Sequence, residues 1–250
     1  MKPEPIETAT AAMESMSLMK RGRLDEDWST PYYVVRRIGS VVFSAIILSL
    51  FMPFVLLLGL ITKVESPGPI FYRGKRVGKD GRVFTMYKLR TLKHGVESQI
   101  GVHLLQEDSN HFTRLGRFVR RTKLDEIPQF FNVIRGDMAV IGPRPTRPVR
   151  TRLFLKTIPG FRHVLQVKPG ISGLSQVTAD YYDPAERKFQ IDLDYIQNRS
   201  LWMDLKLVVL TVVRVPIAAA KYFWNRFRTS APAVPTSNEP REHAELHGPR

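Results

Sequence analysis

From Ile38 to Thr62 the chain runs for 25 residues without a charge, IGSVVFSAIILSLFMPFVLLLGLIT. A bilayer core takes about 20 apolar residues of helix, so this run reads as membrane-embedded rather than as the core helix of a soluble domain. Pro53 sits at its centre, where it removes an amide donor and presses on the carbonyl of Ser49, a natural membrane break. A kinked spanning helix tolerates such a proline. The flanks favour another arrangement. Lys20, Arg21, Arg23, Arg36 and Arg37 lie on one side; Lys63, Arg73, Lys75, Arg76, Lys79 and Arg82 lie on the other. Positive flanks stay in the cytoplasm, and here both flanks qualify. A re-entrant helix–break–helix that enters and leaves by one face satisfies both and is preferred to a simple span.

Lys plus Arg number 38 against 23 Asp plus Glu, a formal net charge of +15. Such a surplus calls for an anionic partner: nucleic acid, acidic lipid or a phosphorylated substrate. No aromatic RNA-binding signature accompanies it, and the membrane run would need a separate explanation, so nucleic acid is disfavoured. The absence of cysteine excludes disulfide scaffolds, Cys-based zinc sites and thiol catalysis. Residues 1–30 are polar and lack the apolar stretch of a signal peptide, which suggests a mobile extension with a short helix near Glu14–Lys20.

After the membrane run, Asp80-Gly81 between Phe71-Tyr72 and Val83-Phe84 predicts a β-hairpin. Alternation along its second arm would point Lys88 and Arg90 to one face, either onto anionic lipid or towards a substrate. Residues 93–110 read as a polar loop. A helical pattern follows from His111, with Phe112, Leu115, Phe118 and Val119 at helical spacing, and Gly136 is a helix stop. MAVIGPRPTRP is a short apolar run ended by a Pro-Arg-Pro turn, and VKPGISGLSQV reads as a second loop. Residues 201–227 are apolar but broken by charges; their Trp and Tyr beside basic residues suit an amphipathic interfacial helix, with a buried helix as the alternative. Residues 229–250 lack apolar bulk and should be disordered.

The chemistry points to Asp125-Glu126 in RRTKLDEIPQ. An exposed salt-bridged turn is the ordinary explanation for such a pair. Pro128, however, fits only the first turn of a helix, which would place Asp125 at or near an N-cap. There the helix dipole and nearby cations would lower its pKa and suit it to act as a nucleophile, to hold Mg²⁺ and to sit beside phosphate. Lys88, Arg90, Arg120 and Arg144 lie in separate segments and would bind phosphate oxygens if the fold brought them together. The chain carries no Walker-type loop, GxGxxG or HExxH.

Four ordered blocks, YRGKRVGKDGRVFTMYKLRTL, RRTKLDEIPQFFNVIRGDMAVIGPRP, KPGISGLSQV and DLDYIQNRSLWMDLKLV, resemble the bacterial sugar transferase family over about residues 32–215. These are monotopic phosphoglycosyl transferases, and the chain most resembles small exopolysaccharide-initiating members. The resemblance implies transfer of a sugar 1-phosphate from a UDP-sugar to polyprenyl phosphate, usually undecaprenyl phosphate, with release of UMP. It implies Mg²⁺ as cofactor and a site on the cytoplasmic face of the bacterial inner membrane, among anionic lipids. By resemblance Asp125 is the nucleophile and Glu126 serves Mg²⁺ and acid–base chemistry. Lys88, Arg120 and Arg144 are expected near phosphates or uridine. The family's membrane break is often Ser-Pro; here it is Met52-Pro53. Asp194 is a further residue that could support the site.

The expected fold is therefore α+β and helix-rich. A mobile extension covers 1–30, a re-entrant membrane helix 31–63, a cytoplasmic catalytic domain with a small hairpin 64–200, interfacial amphipathic helices 201–228 and a disordered tail 229–250. Donor sugar and oligomeric state, homo-oligomer included, stay open. Two other classes compete: a basic membrane scaffold, which makes Asp125 incidental, and a glycosyltransferase that releases UDP.

Overall fold

The computed structural model describes residues 30–93, 96, 111–180 and 183–229. The expected helix near Glu14–Lys20, most of the 93–110 loop and nearly all of the 229–250 tail lie outside these residues.

The apolar run forms one helix, α1 (Pro31–Glu65). The sequence suggests an interruption at Pro53, yet helical backbone continues on both sides of it and through it. Losing one amide bond and crowding one carbonyl leaves the other hydrogen bonds of so long a helix in place. A helix of 35 residues is about 52 Å long. Its two faces differ along that whole length. Tyr33, Ser44, Val55, Leu58, Gly59 and Thr62 are buried against the rest of the chain. Ile38, Val42, Ile46, Leu50, Phe54 and Leu57 recur at helical spacing on an exposed stripe.

The hairpin forms as predicted: β1 (Phe71–Val77) pairs antiparallel with β2 (Val83–Leu89), from Phe71 opposite Leu89 to Val77 opposite Val83. Asp80 in the turn takes a positive φ of 56°, tolerated by Asp because its short side chain can bond locally. Helix α2 (Arg114–Arg121) starts at Thr113, whose hydroxyl caps the Gly116 N–H at 2.9 Å. Phe112 therefore precedes the helix instead of belonging to it. Helix α3 (Gln129–Arg135) ends at Gly136, in the left-handed region as the sequence indicates, with its N–H on the Asn132 and Val133 carbonyls.

VKPGISGLSQV is more ordered than a loop. Its Gly170–Ser172 stretch is strand β4, parallel to β3 (Ala139–Ile141), and α5 (Leu174–Thr178) follows at once. Glycine is essential to this pairing: a Cβ on Gly170 would stand 2.1 Å from the Gly142 nitrogen. The two turns approach so closely that no side chain fits between them. Helix α4 (Pro148–Thr157) lies between the strands in sequence, and α6 (Ala185–Asn198) and α7 (Leu201–Thr229) complete the chain.

Met86, Phe130, Val133, Ile141, Tyr195 and Leu207 belong to one buried cluster, so hairpin, α3, β3, α6 and α7 share a core. Phe43 and Ile47 of α1 pack against it. Helix α7 combines both readings of its sequence. Leu207 is buried, while Trp202, Leu205, Val209, Val213 and Trp224 are exposed. Pro216 does not end it.

Candidate active site

Two carboxylates, one lysine and one arginine meet in the lining of a cavity of about 1880 Å³. Asp125 and Glu126 lie in a single 3₁₀ turn, Leu124–Glu126, just ahead of α3, and both are buried. The turn is launched by Lys123, whose φ of 60° is left-handed. A non-glycine residue there carries local strain, a feature that clusters at functional sites. Pro128, and not Asp125, stands at the N-cap of α3. The dipole argument for a lowered Asp125 pKa thus fails on position.

Lys88 reaches the pair from β2: its Nζ lies 2.7 Å from Glu126 Oε1 and 3.5 Å from Asp125 Oδ2. Arg144, in the Pro-Arg-Pro turn after β3, places Nη2 3.0 Å from the same Glu126 oxygen and donates through Nη1 to Gln176 Oε1 at 2.9 Å. Asp125 Oδ1 is buried and has no hydrogen-bond partner.

The family pattern of the bacterial sugar transferases matches residues 31–217. The chain belongs to that family. Among relatives, the UDP-N-acetylgalactosamine-undecaprenyl-phosphate N-acetylgalactosaminephosphotransferase of Aeromonas hydrophila is 38% identical over 187 residues, 73% of this chain and 44% of its own. The UDP-glucose:undecaprenyl-phosphate glucose-1-phosphate transferase of Escherichia coli is 34% identical over 194 residues, 76% of this chain and 42% of its own. An enzyme of the same name from Caulobacter vibrioides is 39% identical over 182 residues, 71% of this chain and 68% of its own. The chain thus spans less than half the length of the first two.

At this candidate site the two carboxyls titrate apart. Burial alone would push Glu126 up, but Lys88, Arg144 and Lys123 together hold it well below the usual carboxylate range. Burial dominates at Asp125 and raises it, with the Glu126 charge adding to the rise and Lys88, Lys123 and Arg120 opposing it. The expectation of a lowered Asp125 pKa is therefore reversed. Lys88 sits closer to Glu126, so its charge favours ionisation of Glu126 more than that of Asp125.

The four cations take three different places. Lys88 and Arg144 join the carboxylates directly. Arg120 stacks on the Phe112 ring at 5.1 Å and its charge acts on Asp125 through space. Arg90 points elsewhere: it is buried, and its guanidinium donates to the Ser66 and Pro67 carbonyls just past α1. Its backbone N–H still pairs with Ile70, so the alternation holds, but β2 ends at Leu89 and the side chain turns away to satisfy the carbonyls past α1. Asp194 is exposed and accepts from Asn198 one turn later on its own helix.

Two positioning residues, Asn132 and Gln176, and one buried amide, Gln129, escaped the sequence reading. Asn132 is fully buried; its Oδ1 accepts from the Tyr87 N–H at 3.1 Å and its Nδ2 donates to Thr85 O at 2.8 Å. It thereby ties α3, which follows the carboxylates, to the strand that bears Lys88. A lone Asn inside the apolar stretch FFNVI was the available signal. Gln176 steadies Arg144, and Gln129, one turn after Glu126, is buried with its amide nitrogen unpartnered.

No cluster of three or more His, Cys, Asp and Glu able to hold a metal occurs among the described residues. Mg²⁺ does not need one: it binds through one or two carboxylates, keeps its waters and takes substrate phosphates as further ligands. Asp125 and Glu126 fit that role, and the unpaired Asp125 oxygen is a hard, anionic donor without a partner of its own.

Proposed function

We propose that this chain is a phosphoglycosyl transferase moving a sugar 1-phosphate from a UDP-sugar to polyprenyl phosphate, with Asp125 as nucleophile. The observation that carries the reading is the Asp125–Glu126 turn, faced by Lys88 and Arg144 from two other segments. A carboxylate attacking a diphosphate meets anion–anion repulsion, so the attack needs fixed cations around the phosphates. Lys88, Arg144 and Arg120 supply them.

In the first half-reaction an Asp125 oxygen forms a bond to the β-phosphorus of the donor. The bond from that phosphorus to the bridging oxygen breaks, and UMP leaves with the oxygen. The sugar phosphate is then held as an acyl phosphate on Asp125. In the second, a phosphate oxygen of the polyprenyl acceptor attacks the same phosphorus and returns Asp125 as a carboxylate. The two-step route lets one site serve a soluble donor and a lipid acceptor in turn. Mg²⁺, held by Asp125 and Glu126, would neutralise phosphate charge when bound. Glu126, ionised through its contacts with Lys88 and Arg144, keeps both cations in place between turnovers.

The anchor reading is that both ends of α1 stay on one face of the membrane, the cytoplasmic side of a bacterial inner membrane. Because the helix runs unbroken through Pro53, it would do so by lying along that face rather than by a helix–break–helix. A spanning helix would need about 20 consecutive residues surrounded by lipid. Residues Phe43, Ile47, Met52, Val55 and Leu58 instead touch the two core clusters at every turn of its middle. Both ends are held by the same body: Arg37 donates to the Val133 and Ile134 carbonyls, and Glu65 accepts from the Leu115 N–H. The exposed apolar stripes of α1 and α7 are the surfaces that would face lipid.

The test is nucleotide release by the full chain in lipid with undecaprenyl phosphate, Mg²⁺ and a panel of UDP-sugars. UMP release with one or two donors, lost in Asp125→Asn, is the expected result. UDP release would establish direct glycosyl transfer instead.

A further inference from the structure

Among the unpartnered polar atoms of the cavity lining that the reaction above leaves unused, those of Gln176 and Asp192 lie on adjoining elements beyond Arg144. Gln176 on α5 gives its carbonyl oxygen to Arg144, while its amide nitrogen is buried and without a partner. Asp192 on α6 accepts from both the backbone N–H and the hydroxyl of Ser175, while its Oδ1 is buried and without a partner. Both residues line the cavity that contains Asp125 and Glu126, and as whole residues both keep some exposure. Buried polar groups are nearly always paired in folded proteins. An unpaired donor and an unpaired acceptor on adjoining elements of one wall call for a ligand that offers both partners.

The charges around the cavity indicate which part of the donor that is. Lys88, Arg117, Arg120 and Lys123 line the wall formed by β2 and α2 with its following turn. The α5–α6 wall contributes Asp180, Asp183 and Asp192 together with Lys188. Asp183 pairs with Arg187 at 3.0 Å, and Arg214 of α7 donates to the Val177 carbonyl, which leaves Asp192 without a cation in bonding contact. Two arms leave the β-phosphorus of a UDP-sugar: an anionic arm to the α-phosphate and uridine, and a neutral ring bearing hydroxyls. Phosphate is repelled by a wall rich in carboxylates, whereas hydroxyls bond to carboxylate and amide alike. Gln176 and Glu126 accept from the same guanidinium, that of Arg144, so this wall adjoins the carboxylate pair. Although Ser175 donates to it twice, burial pushes Asp192 up to about 6, so it is ionised at neutral pH and accepts strongly.

We propose that Asp192 and Gln176 form the subsite that reads the hydroxyls of the donor's sugar ring, Asp192 accepting from one and Gln176 Nε2 donating to another. The inference rests on the phosphoglycosyl transfer reading above and names the part of that site that selects the donor.

The experiment compares the full chain in lipid with Asp192→Asn and Gln176→Glu, the second of which keeps an oxygen for Arg144. Rates of UMP release are measured with the preferred UDP-sugar and with analogues epimeric or deoxy at single ring positions. UMP serves in parallel as a competitive inhibitor that lacks the sugar. The expected result is a fall of about 10- to 100-fold in kcat/KM for the preferred donor, as for a site built to bond a substrate hydroxyl. The analogue lacking the hydroxyl in question should lose far less, and inhibition by UMP should be unchanged. Equal losses for every donor, a matching loss of UMP inhibition, or no change in donor selectivity would each overturn the subsite. Should Asp192→Asn fail to fold, Gln176→Glu carries the same test alone. A wild-type chain that releases UDP, or no nucleotide from any donor, would defeat the transfer reading before the variants are compared. Wild-type UMP release with unaltered selectivity in the variants would defeat the subsite only.

Discussion

Two buried ionic clusters stand within this molecule, and they are finished to different degrees. In one, Arg36 of α1 donates through Nε to Asp204 Oδ2 at 2.6 Å and through Nη2 to the Ile141 carbonyl at 2.6 Å and the Tyr195 hydroxyl at 3.2 Å. The Tyr195 hydroxyl in turn donates to Asp204 Oδ1 at 2.6 Å. Burial keeps that hydroxyl protonated well above its ordinary range, so the bond persists at any working pH. Both Asp204 oxygens are used. In the other cluster Lys88 and Arg144 converge on Glu126, and Asp125 Oδ1 is left with nothing. A satisfied network holds elements in register; an unsatisfied one waits for a ligand. The first ties α1, β3, α6 and α7 together, two residues upstream of the Pro143-Arg144 turn. The second is where chemistry is placed.

The comparison breaks most sharply at Asp125. Asp125→Asn should lower UMP release by at least about a thousandfold, the scale on which removal of a nucleophile acts, while thermal stability is kept, because an amide is easier to bury than a carboxylate. In the wild type the raised Asp125 pKa should appear in the acid limb of the pH–rate profile. Protonation removes the nucleophile, so kcat/KM should fall with falling pH through a midpoint above 3.8, the ordinary aspartate value. A limb at or below that value would contradict the assignment.

The finished cluster should respond in stability. Arg36→Met or Asp204→Leu alone strands a buried charge and should cost about 3–5 kcal/mol, read by chemical or thermal unfolding in detergent. The double variant should recover part of that loss. Additive losses would show that the pair is not a unit.

A smaller effect is expected at Arg144. Lysine cannot span Glu126 and Gln176 together, so Arg144→Lys should lose about 1.5–3 kcal/mol of transition-state binding, seen in kcat/KM, with little change in unfolding. Arg90→Lys should do the opposite. Its guanidinium braces carbonyls past α1, so the variant should lose about 1–2 kcal/mol of stability and less activity than Arg144→Lys. If Arg90→Lys proves the more damaging to catalysis, the sorting of the two arginines is wrong.

These residues also show what was readable in the sequence. The uncharged run, the Asp80-Gly81 hairpin, the Gly136 stop and the Asp125-Glu126 pair follow from local rules of hydropathy, turn and cap chemistry. The direction of Arg90 does not, because it depends on where α1 ends in space rather than on alternation along β2. The β3–β4 pairing was hidden for a related reason. Three-residue strands in a Gly- and Pro-rich segment carry no periodicity, and only the approach of Gly142 to Gly170 makes them a sheet. The Asp125 pKa was misjudged in sign because sequence shows neighbouring charges but not burial. Asp204 stood in a block of family resemblance, yet its partner Arg36 lies 168 residues away, beyond any local pattern.

The central claim is a covalent two-step transfer through Asp125, and the most direct measurement omits the acceptor. Purified chain in lipid free of polyprenyl phosphate would be mixed with its UDP-sugar and Mg²⁺, UMP counted, and the intact protein weighed. The account predicts a burst of UMP that stops near one per chain, a mass gain equal to one sugar phosphate, and loss of both in Asp125→Asn. Absence of UMP and of added mass without acceptor, followed by turnover once acceptor is supplied, would mean direct transfer between the two substrates and would contradict it.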